Sequence, residues 1–394
     1  MRIAIITENF LPKLDGVTRT LARLLEHLQA NGHHALLLGP ESGMAEYAGA
    51  QVVGTAGLPF PFYPELKFNF FRPLFVRRLS EFRPDVIHLV DPVILGASGL
   101  AAARFFNTPI VSSYHTNLAA YCEHFGFSLL TVPMLVYNRF MHNQCNLTFC
   151  PSRSTATMLR KQGFENLRIW PRGVDATLFR PERRSADLRA DWLKGRSEPD
   201  QKVILLYVGR ISWEKNLQLL MQAYREMDHS RCHLVMVGDG PAHAEIQQAL
   251  ADVPVTFTGY LTGQELATAY ASADVFAFPS YTETFGQVVL EAMASGLPVV
   301  GLQAEGVRDL VEHEQTGLLL DAQDLAHEQQ VLAYREHLTR LTLEQQTRHM
   351  MSDAALTEAH RHTWHEAMEQ LVQGYRDVVD EARLRSDSLI TTAA

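Results

Sequence analysis

Two glutamates eight positions apart, Glu283 and Glu291, are the side chains of this 394-residue chain best placed to do chemistry. They lie in Pro279-Ser280-Tyr281-Thr282-Glu283-Thr284-Phe285-Gly286-Gln287-Val288-Val289-Leu290-Glu291-Ala292-Met293-Ala294-Ser295-Gly296. Asp274 to Phe278 reads as a strand, so Glu283 falls in the loop that follows it. Glu291 falls in a helix that stops near Gly296. Carboxylates that flank a glycosidic bond for hydrolysis stand about 5–10 Å apart. Eight residues of helix span about 12 Å. The spacing suits two grips on an elongated ligand better than attack on one bond from two sides. A nucleotide-sugar has that shape.

Three glycine turns come next, each after an apparent strand. Leu14-Asp15-Gly16-Val17-Thr18-Arg19 opens a helix, where Gly16 would let backbone N–H groups approach a phosphate. A tight strand-to-helix turn wants a glycine as well. Tyr207-Val208-Gly209-Arg210-Ile211-Ser212-Trp213-Glu214-Lys215-Asn216 sets two cations, Arg210 and Lys215, where doubly wound folds place their ligand crevice. Two such cations suit a pyrophosphate, or form a solvated pair on a loop. Val237-Gly238-Asp239-Gly240-Pro241 either meets ligand or simply ends a strand. No G-x-G-x-x-G fingerprint and no Gly-Lys-Ser/Thr P-loop occurs, which argues against dinucleotide oxidoreductases and P-loop NTPases.

The elements that must hold these residues alternate between β-rich and helical. Ile3–Thr7, Ala35–Leu38, Val86–Leu89, Ile110–Tyr114 and Leu147–Cys150 read as strands, with helices such as Thr18–Ala30 and Leu74–Phe82 between them. Val203–Val208, Leu234–Val237, Val255–Thr258, Val275–Phe278, Pro298–Gly301 and Leu318–Leu320 form a second series. The polar stretch from Phe179 to Gln201 reads as a partly helical connection. This pattern predicts two α/β units with parallel sheets. The expected division is 1–175, 176–355, a C-terminal helix over 356–385 with Trp364 near its start, and a frayed tail over 386–394.

Bulk properties narrow the function. Hydrophobic residues make up 46% and charged residues 20%, ordinary for a globular protein. No apolar run reaches the ~18 residues of a transmembrane candidate. The opening Met1-Arg2-Ile3-Ala4-Ile5-Ile6-Thr7-Glu8 reads as a strand rather than a signal peptide, so the expectation is a cytoplasmic protein. The four cysteines do not suggest a disulfide framework, and His142, Cys145 and Cys150 lack a zinc-finger partner half. A net charge of −9 argues against nucleic acid. The charge is uneven: residues 1–180 carry a net +5, from 17 basic and 12 acidic residues, and the rest carry −14, from 18 and 32. A mildly basic first half is compatible with an anionic membrane or acceptor.

On Asp15-Gly16-Val17-Thr18, Tyr114-His115-Thr116, Arg172-Gly173-Val174-Asp175, Gly209-Arg210 with Glu214-Lys215-Asn216, Gly238-Asp239-Gly240-Pro241 and Glu283-x7-Glu291, the chain resembles the retaining glycosyltransferases of family 4, over about residues 1–380. Within that family it is similar to the sulfoquinovosyl-diacylglycerol synthases and the GDP-mannose-dependent mannosyltransferases. The resemblance implies a GT-B fold, in which two Rossmann-like domains face each other across a cleft and the C-terminal helix returns to the first domain. It implies that Arg210 and Lys215 bind the donor diphosphate and stabilise it as leaving group. Glu283 would lie near the donor hexose, with the backbone at Phe285 and Gly286 contacting sugar hydroxyls. Glu291 would hold the ribose, Gly16 would face the diphosphate, and His115 would lie near the reacting sugar. Gly209, Gly238, Asp239 and Val288 complete the donor-binding set so implied. Family members often carry two glycines where this chain has Asp15-Gly16.

The same resemblance implies transfer from a UDP- or GDP-sugar with retention and without an essential metal, and the chain has no Asp-x-Asp motif. The acceptor expected is a hydroxyl of a lipid or glycan. The segment 57–73 is rich in aromatic residues and proline, and Phe68, Phe70, Phe71 and Arg72, with Tyr121 further on, are candidates for acceptor or membrane contact. Packing in the first domain's core, or lining a dimer interface, is the other reading of those aromatics. Competing functions are a nucleotide-sugar epimerase, a phosphorylase lacking any visible pyridoxal context, or a non-catalytic sugar-nucleotide-binding protein.

Overall fold

The computed structural model describes residues 1–12, 16–60, 63–68, 72–117, 128–195 and 201–393, with side chains left out at 58–60, 63–68, 128, 386, 387 and 389–393. The chain forms two units, Met1–Pro171 with Trp364–Ala394, and Arg172–Thr363.

The first unit is organised by an eight-stranded sheet in the order β10-β9-β8-β7-β1-β2-β4-β3. Its strands are β1 (Arg2–Thr7), β2 (His34–Pro40), β3 (Glu46–Tyr47), β4 (Ala50–Thr55), β7 (Val86–Val90), β8 (Ile110–Ser113), β9 (Leu147–Cys150) and β10 (Leu167–Ile169). A separate antiparallel pair, β5 (Leu58–Phe60) and β6 (Tyr63–Phe68), lies outside it. Only the β3–β4 edge of the main sheet is antiparallel. Alternation along β1 divides the core into two faces. Ile3 and Ile5 pack with Leu21, Leu24, Leu25 and Leu28 of helix Gly16–Ala30, while Ala4 and Ile6 pack with Phe75, Leu79, Leu95 and Leu100. Both faces are covered, which is why these strands read as unbroken apolar runs. Each buried Ile or Leu contributes about 1.5–3 kcal/mol.

The C-terminal helix Trp364–Ala393 returns to this unit. Met368, Leu371, Val372, Tyr375, Val378 and Val379 recur at helical spacing and join the face that holds Ile3 and Ile5. Gly374 allows the close approach: a Cβ there would sit 2.5 Å from the Phe149 ring. The helix starts at Trp364 rather than at 356, and it runs through Ala393 where a frayed tail was expected. Helix Gln345–Ala359 belongs to the second unit. The break between the two helices, His360 to Thr363, holds no glycine or proline to announce it.

The second unit is a six-stranded parallel sheet in the order β13-β12-β11-β14-β15-β16. The strands are β11 (Val203–Val208), β12 (Cys232–Val237), β13 (Val255–Gly259), β14 (Val275–Phe278), β15 (Val299–Leu302) and β16 (Gly317–Leu320). The chain builds outward from β11 to β13, then crosses back to β14 on the other side of β11. Ligands of open α/β sheets bind at such a reversal, beyond the carboxyl ends of the strands. The polar stretch after Phe179 is more than a connection. Arg184 and Arg189 grip Asp274 at 2.7 and 2.9 Å, and Trp192 is buried in this unit's core. Arg172 to Asp175, expected in the first domain, lie in this unit as well, and Gln287 Nε2 donates to Gly173 O at 3.1 Å.

Candidate active site

Beyond the ends of β11 and β14, two loops bring opposite charges together. After Gly209-Arg210-Ile211-Ser212 the chain makes one 3-10 turn, Trp213–Lys215. Asn216 follows in the left-handed region (φ 55°) and starts helix Leu217–Arg225. Asn216 Nδ2 donates to Pro279 O at 3.2 Å, which ties the β11 loop to the β14 loop. Lys215 is thereby aimed across the gap. Its Nζ lies 2.6 Å from Glu283 Oε1 and 3.4 Å from Thr282 Oγ1. Ser280 Oγ donates to the same glutamate oxygen at 3.3 Å. The Lys215 and Glu283 side chains are each 20% exposed, so their attraction is less screened than that of a surface pair.

Arg210 is more open, with half its side chain exposed and Glu214 Oε1 4.0 Å away. Tyr207 OH donates to Arg210 O at 2.9 Å and holds the backbone beneath it. Burial opposes charge on Glu214, but hydrogen bonds from Ser212 and its own backbone, with Arg210 and Lys215 nearby, keep its carboxyl below the usual range.

The glycine turn after β12 supports the β11 loop from the side. A Cβ on Gly238 would lie 2.0 Å from Gly209 O, and one on Gly240 would lie 2.4 Å from Ile211 O. Backbone bonds run from Gly209 N to Val237 O and from Ile211 N to Asp239 O. These two glycines are therefore required by loop-on-loop packing, a stronger demand than ending a strand. Asp239 is mostly exposed and accepts from Gly240 N at 2.7 Å, with His243 Nδ1 at 2.8 Å. His243, then the Gly240 N–H, hold its carboxyl below the usual range.

Glu291 has different partners from Glu283. It lies on helix Gln287–Ala294, is 4% exposed, and accepts from Tyr270 OH at 3.2 Å. Residues 283–286 are not helical, so a helical rise applies only from Gln287 to Glu291 and does not measure the whole separation. Gly286 precedes the helix in the left-handed region (φ 88°), Phe285 is buried, and Val288 is half-buried.

In the first unit the polar residues cluster beyond β1, β7 and β8. Asp91 follows β7 with φ 44° and accepts from His115 N at 2.7 Å, Thr116 N at 3.2 Å and Thr116 Oγ1 at 2.8 Å. The His115 ring is nearly buried; Nε2 lies 2.8 Å from Ser113 Oγ, and Trp170 packs edge-on against it. Glu8, after β1, accepts from Leu95 N at 2.7 Å at the start of helix Ile94–Phe105. Burial raises its pKa to about 7, against backbone hydrogen bonds from Leu95, Ile94 and Gly96, and Asp91 adds to the rise. Gly16 opens its helix with nothing within 4 Å of an added Cβ.

The fold thus joins Lys215 to Glu283, sets Arg210 beside them, and holds His115 in the first unit with Asp91. Asp91 and Glu8 were not singled out from the sequence; each directly follows a buried strand, the one signal that marked them. Asp15, Phe70, Phe71 and Tyr121 lie outside the described residues, as does the side chain of Phe68.

Residues 14–178 match the family described as Glycosyltransferase Family 4, and residues 202–333 match Glycosyl transferases group 1. The chain is 36% identical over 387 residues to a GDP-mannose-dependent alpha-mannosyltransferase of Corynebacterium glutamicum, spanning 96% of this chain and 89% of the relative. It is 34% identical over 362 residues to a sulfoquinovosyl transferase of Arabidopsis thaliana, spanning 90% of this chain and 69% of the relative. Among solved structures, the sucrose-phosphate synthase of Thermosynechococcus elongatus is similar with a TM-score of 0.77 at 21% identity, covering 96% of this chain and 99% of that one. That last likeness concerns the fold, which is GT-B; the full-length identities reach further. With both units matched and the charged loops in place at the sheet's reversal, the chain belongs to the family 4 glycosyltransferases.

Proposed function

We propose that this enzyme moves a hexosyl unit from a UDP- or GDP-sugar to a hydroxyl of a lipid or glycan acceptor, with retention and without a resident metal. The observation that carries the reading is the Lys215–Glu283 contact of 2.6 Å beside the half-exposed Arg210, beyond β11 and β14. A diphosphate entering there would meet Arg210 and Lys215, with Lys215 released from Glu283 to share its charge with the phosphates. Glu283 is then left to accept from hexose hydroxyls, and Glu291 from the ribose. The glycosidic C–O bond to the diphosphate breaks as negative charge develops on the phosphate oxygen, and the two cations stabilise that charge. The acceptor oxygen attacks from the same face, and its proton passes to the departing phosphate oxygen. In the first unit, His115 is offered as a hydrogen-bond partner for the substrate, the role that the family resemblance implies.

A further relative, 27% identical over 82% of this chain, is named an alpha-monoglucosyldiacylglycerol synthase of Streptococcus pneumoniae, which favours a lipid among the acceptors. Helix Ser128–Asn143 exposes Leu129, Leu130, Val132, Val136 and Phe140. Elsewhere in the same unit, Arg72, Val76, Arg77, Phe105 and Phe106 line a groove of about 650 Å³. Exposed apolar side chains mixed with arginine suit an anionic lipid surface. No helix among the described residues is long and apolar enough to cross a membrane, so the contact proposed is peripheral.

A donor panel tests the reading. UDP- and GDP-sugars are screened by thermal shift, then assayed for transfer to lipid acceptors in the presence of a chelator. One donor that stabilises the protein and gives an α-glycoside under chelation is expected. Nucleotide release that never needs an acceptor contradicts transfer, and loss of activity in chelator contradicts metal independence. Flotation with anionic vesicles at low salt tests the surface contact; failure to float sinks it.

A further inference from the structure

We infer that a one-way chain of hydrogen bonds, beginning at Tyr375 on the C-terminal helix, holds His115 as the tautomer protonated on Nδ1. The chain lies inside the first unit. Tyr375 OH is 2.7 Å from His88 Nδ1, His88 Nε2 is 2.8 Å from Ser113 Oγ, and Ser113 Oγ is 2.8 Å from His115 Nε2. Tyr375 and His88 are fully buried, and Ser113 and His115 nearly so.

The direction follows from counting protons. A serine hydroxyl has one proton to donate. Ser113 Oγ stands between two imidazole Nε2 atoms and meets no other side chain among the described residues. Its two lone pairs could accept from both nitrogens, but its own buried proton would then have no acceptor among the described residues, so one nitrogen donates and the other accepts. Tyr375 settles which. Burial pushes its phenol pKa up, so it remains an O–H, and its partner among the described residues is His88 Nδ1. A buried donor without an acceptor is costly, so this proton goes to His88 Nδ1. His88 then carries its own proton on Nε2 and donates to Ser113. Ser113 donates to His115 Nε2. The remaining proton of neutral His115 is on Nδ1.

Asp91 complements this arrangement by holding the backbone N–H groups of His115 and Thr116 while Ser113 fixes the ring. His115 thus serves as a hydrogen-bond donor, not a base. Tyr375, His88 and Ser113 are positioning residues, and the C-terminal helix contributes to the site as well as to the core. The consequence for catalysis rests on the reading that His115 meets the substrate; the tautomer does not.

The test is nitrogen–proton correlation spectroscopy on protein labelled at histidine. Wild type should show His115 protonated on Nδ1 and His88 on Nε2; His115 protonated on Nε2 overturns the inference. Tyr375→Phe keeps the ring's volume and removes the first donor. It should let His115 populate both tautomers and lower turnover about fivefold to tenfold, the worth of one hydrogen bond, with little change in KM. Ser113→Ala should also release the His115 tautomer. A single, unchanged His115 tautomer in both variants contradicts the chain. If the tautomer shifts while His115→Ala transfers sugar normally, the chain stands and the substrate role of His115 falls.

Discussion

Lys215, Glu283 and Arg210 of the second unit work through formal charge, whereas the chain from Tyr375 through His88 and Ser113 to His115 in the first unit works through neutral hydrogen bonds in the interior. Lys215 and Glu283 stand 2.6 Å apart, with Arg210 half open to solvent. In the first unit, Tyr375, His88, Ser113 and His115 exchange hydrogen bonds in the interior, with His115 the most open at 9% exposure, and desolvation raises the pKa of Glu8 to about 7. Mobile charge suits a ligand that brings charge and takes it away, as a diphosphate does. A fixed neutral donor suits a sugar hydroxyl, whose recognition depends on direction more than on field. The contrast yields perturbations that should act differently on the two units.

The largest effect should follow Lys215→Ala. Removing a cation that stabilises developing charge should lower kcat about 10²–10³-fold, with thermal unfolding near that of wild type. Glu8→Gln should change the pH dependence of stability instead. In the folded protein Glu8 titrates near 7, against an ordinary 4.5. The folded state therefore holds the proton more tightly, and this contribution is full below pH 4.5 and lost as the pH rises to 7. The loss is on the order of 3 kcal/mol, and denaturant unfolding between pH 4.5 and 7.5 should show the glutamine variant lacking it.

Gly238→Ala comes next. Its Cβ would stand 2.0 Å from Gly209 O, so the β11 loop must shift, costing about 1–3 kcal/mol and weakening donor binding. An unchanged unfolding midpoint would count against loop-on-loop packing. Tyr270→Phe should be mildest. It removes one donor to Glu291 and should cost about 1 kcal/mol, with a higher KM for the nucleotide-sugar and kcat nearly preserved. A large fall in kcat would mean that Glu291 does more than bind.

Strands buried on both faces were the most legible part of the fold. Leu147–Cys150, Val203–Val208 and Val275–Phe278 match the expected bounds because continuous β-branched and aromatic runs leave little choice. The short edge strands β3 and β10 were missed, since two or three residues carry no period. The start of the C-terminal helix was misplaced because polar helices flank a break with no turn residue. The placement of Arg210, Lys215 and Glu283 in the loops after β11 and β14 was legible from the strand pattern. The Lys215–Glu283 contact joins positions 68 apart, and the Tyr375–His88 bond joins positions 287 apart. Periodicity cannot reveal such pairs, because the fold alone brings them together.

In the proposed reaction, Lys215 stabilises the departing diphosphate. Comparing Lys215→Ala with wild type on a nucleotide-sugar and on the matching glycosyl fluoride tests it most directly, because fluoride leaves without a diphosphate to stabilise. A large loss of transfer is expected with the nucleotide-sugar and a much smaller one with the fluoride. Equal losses with both donors would contradict it.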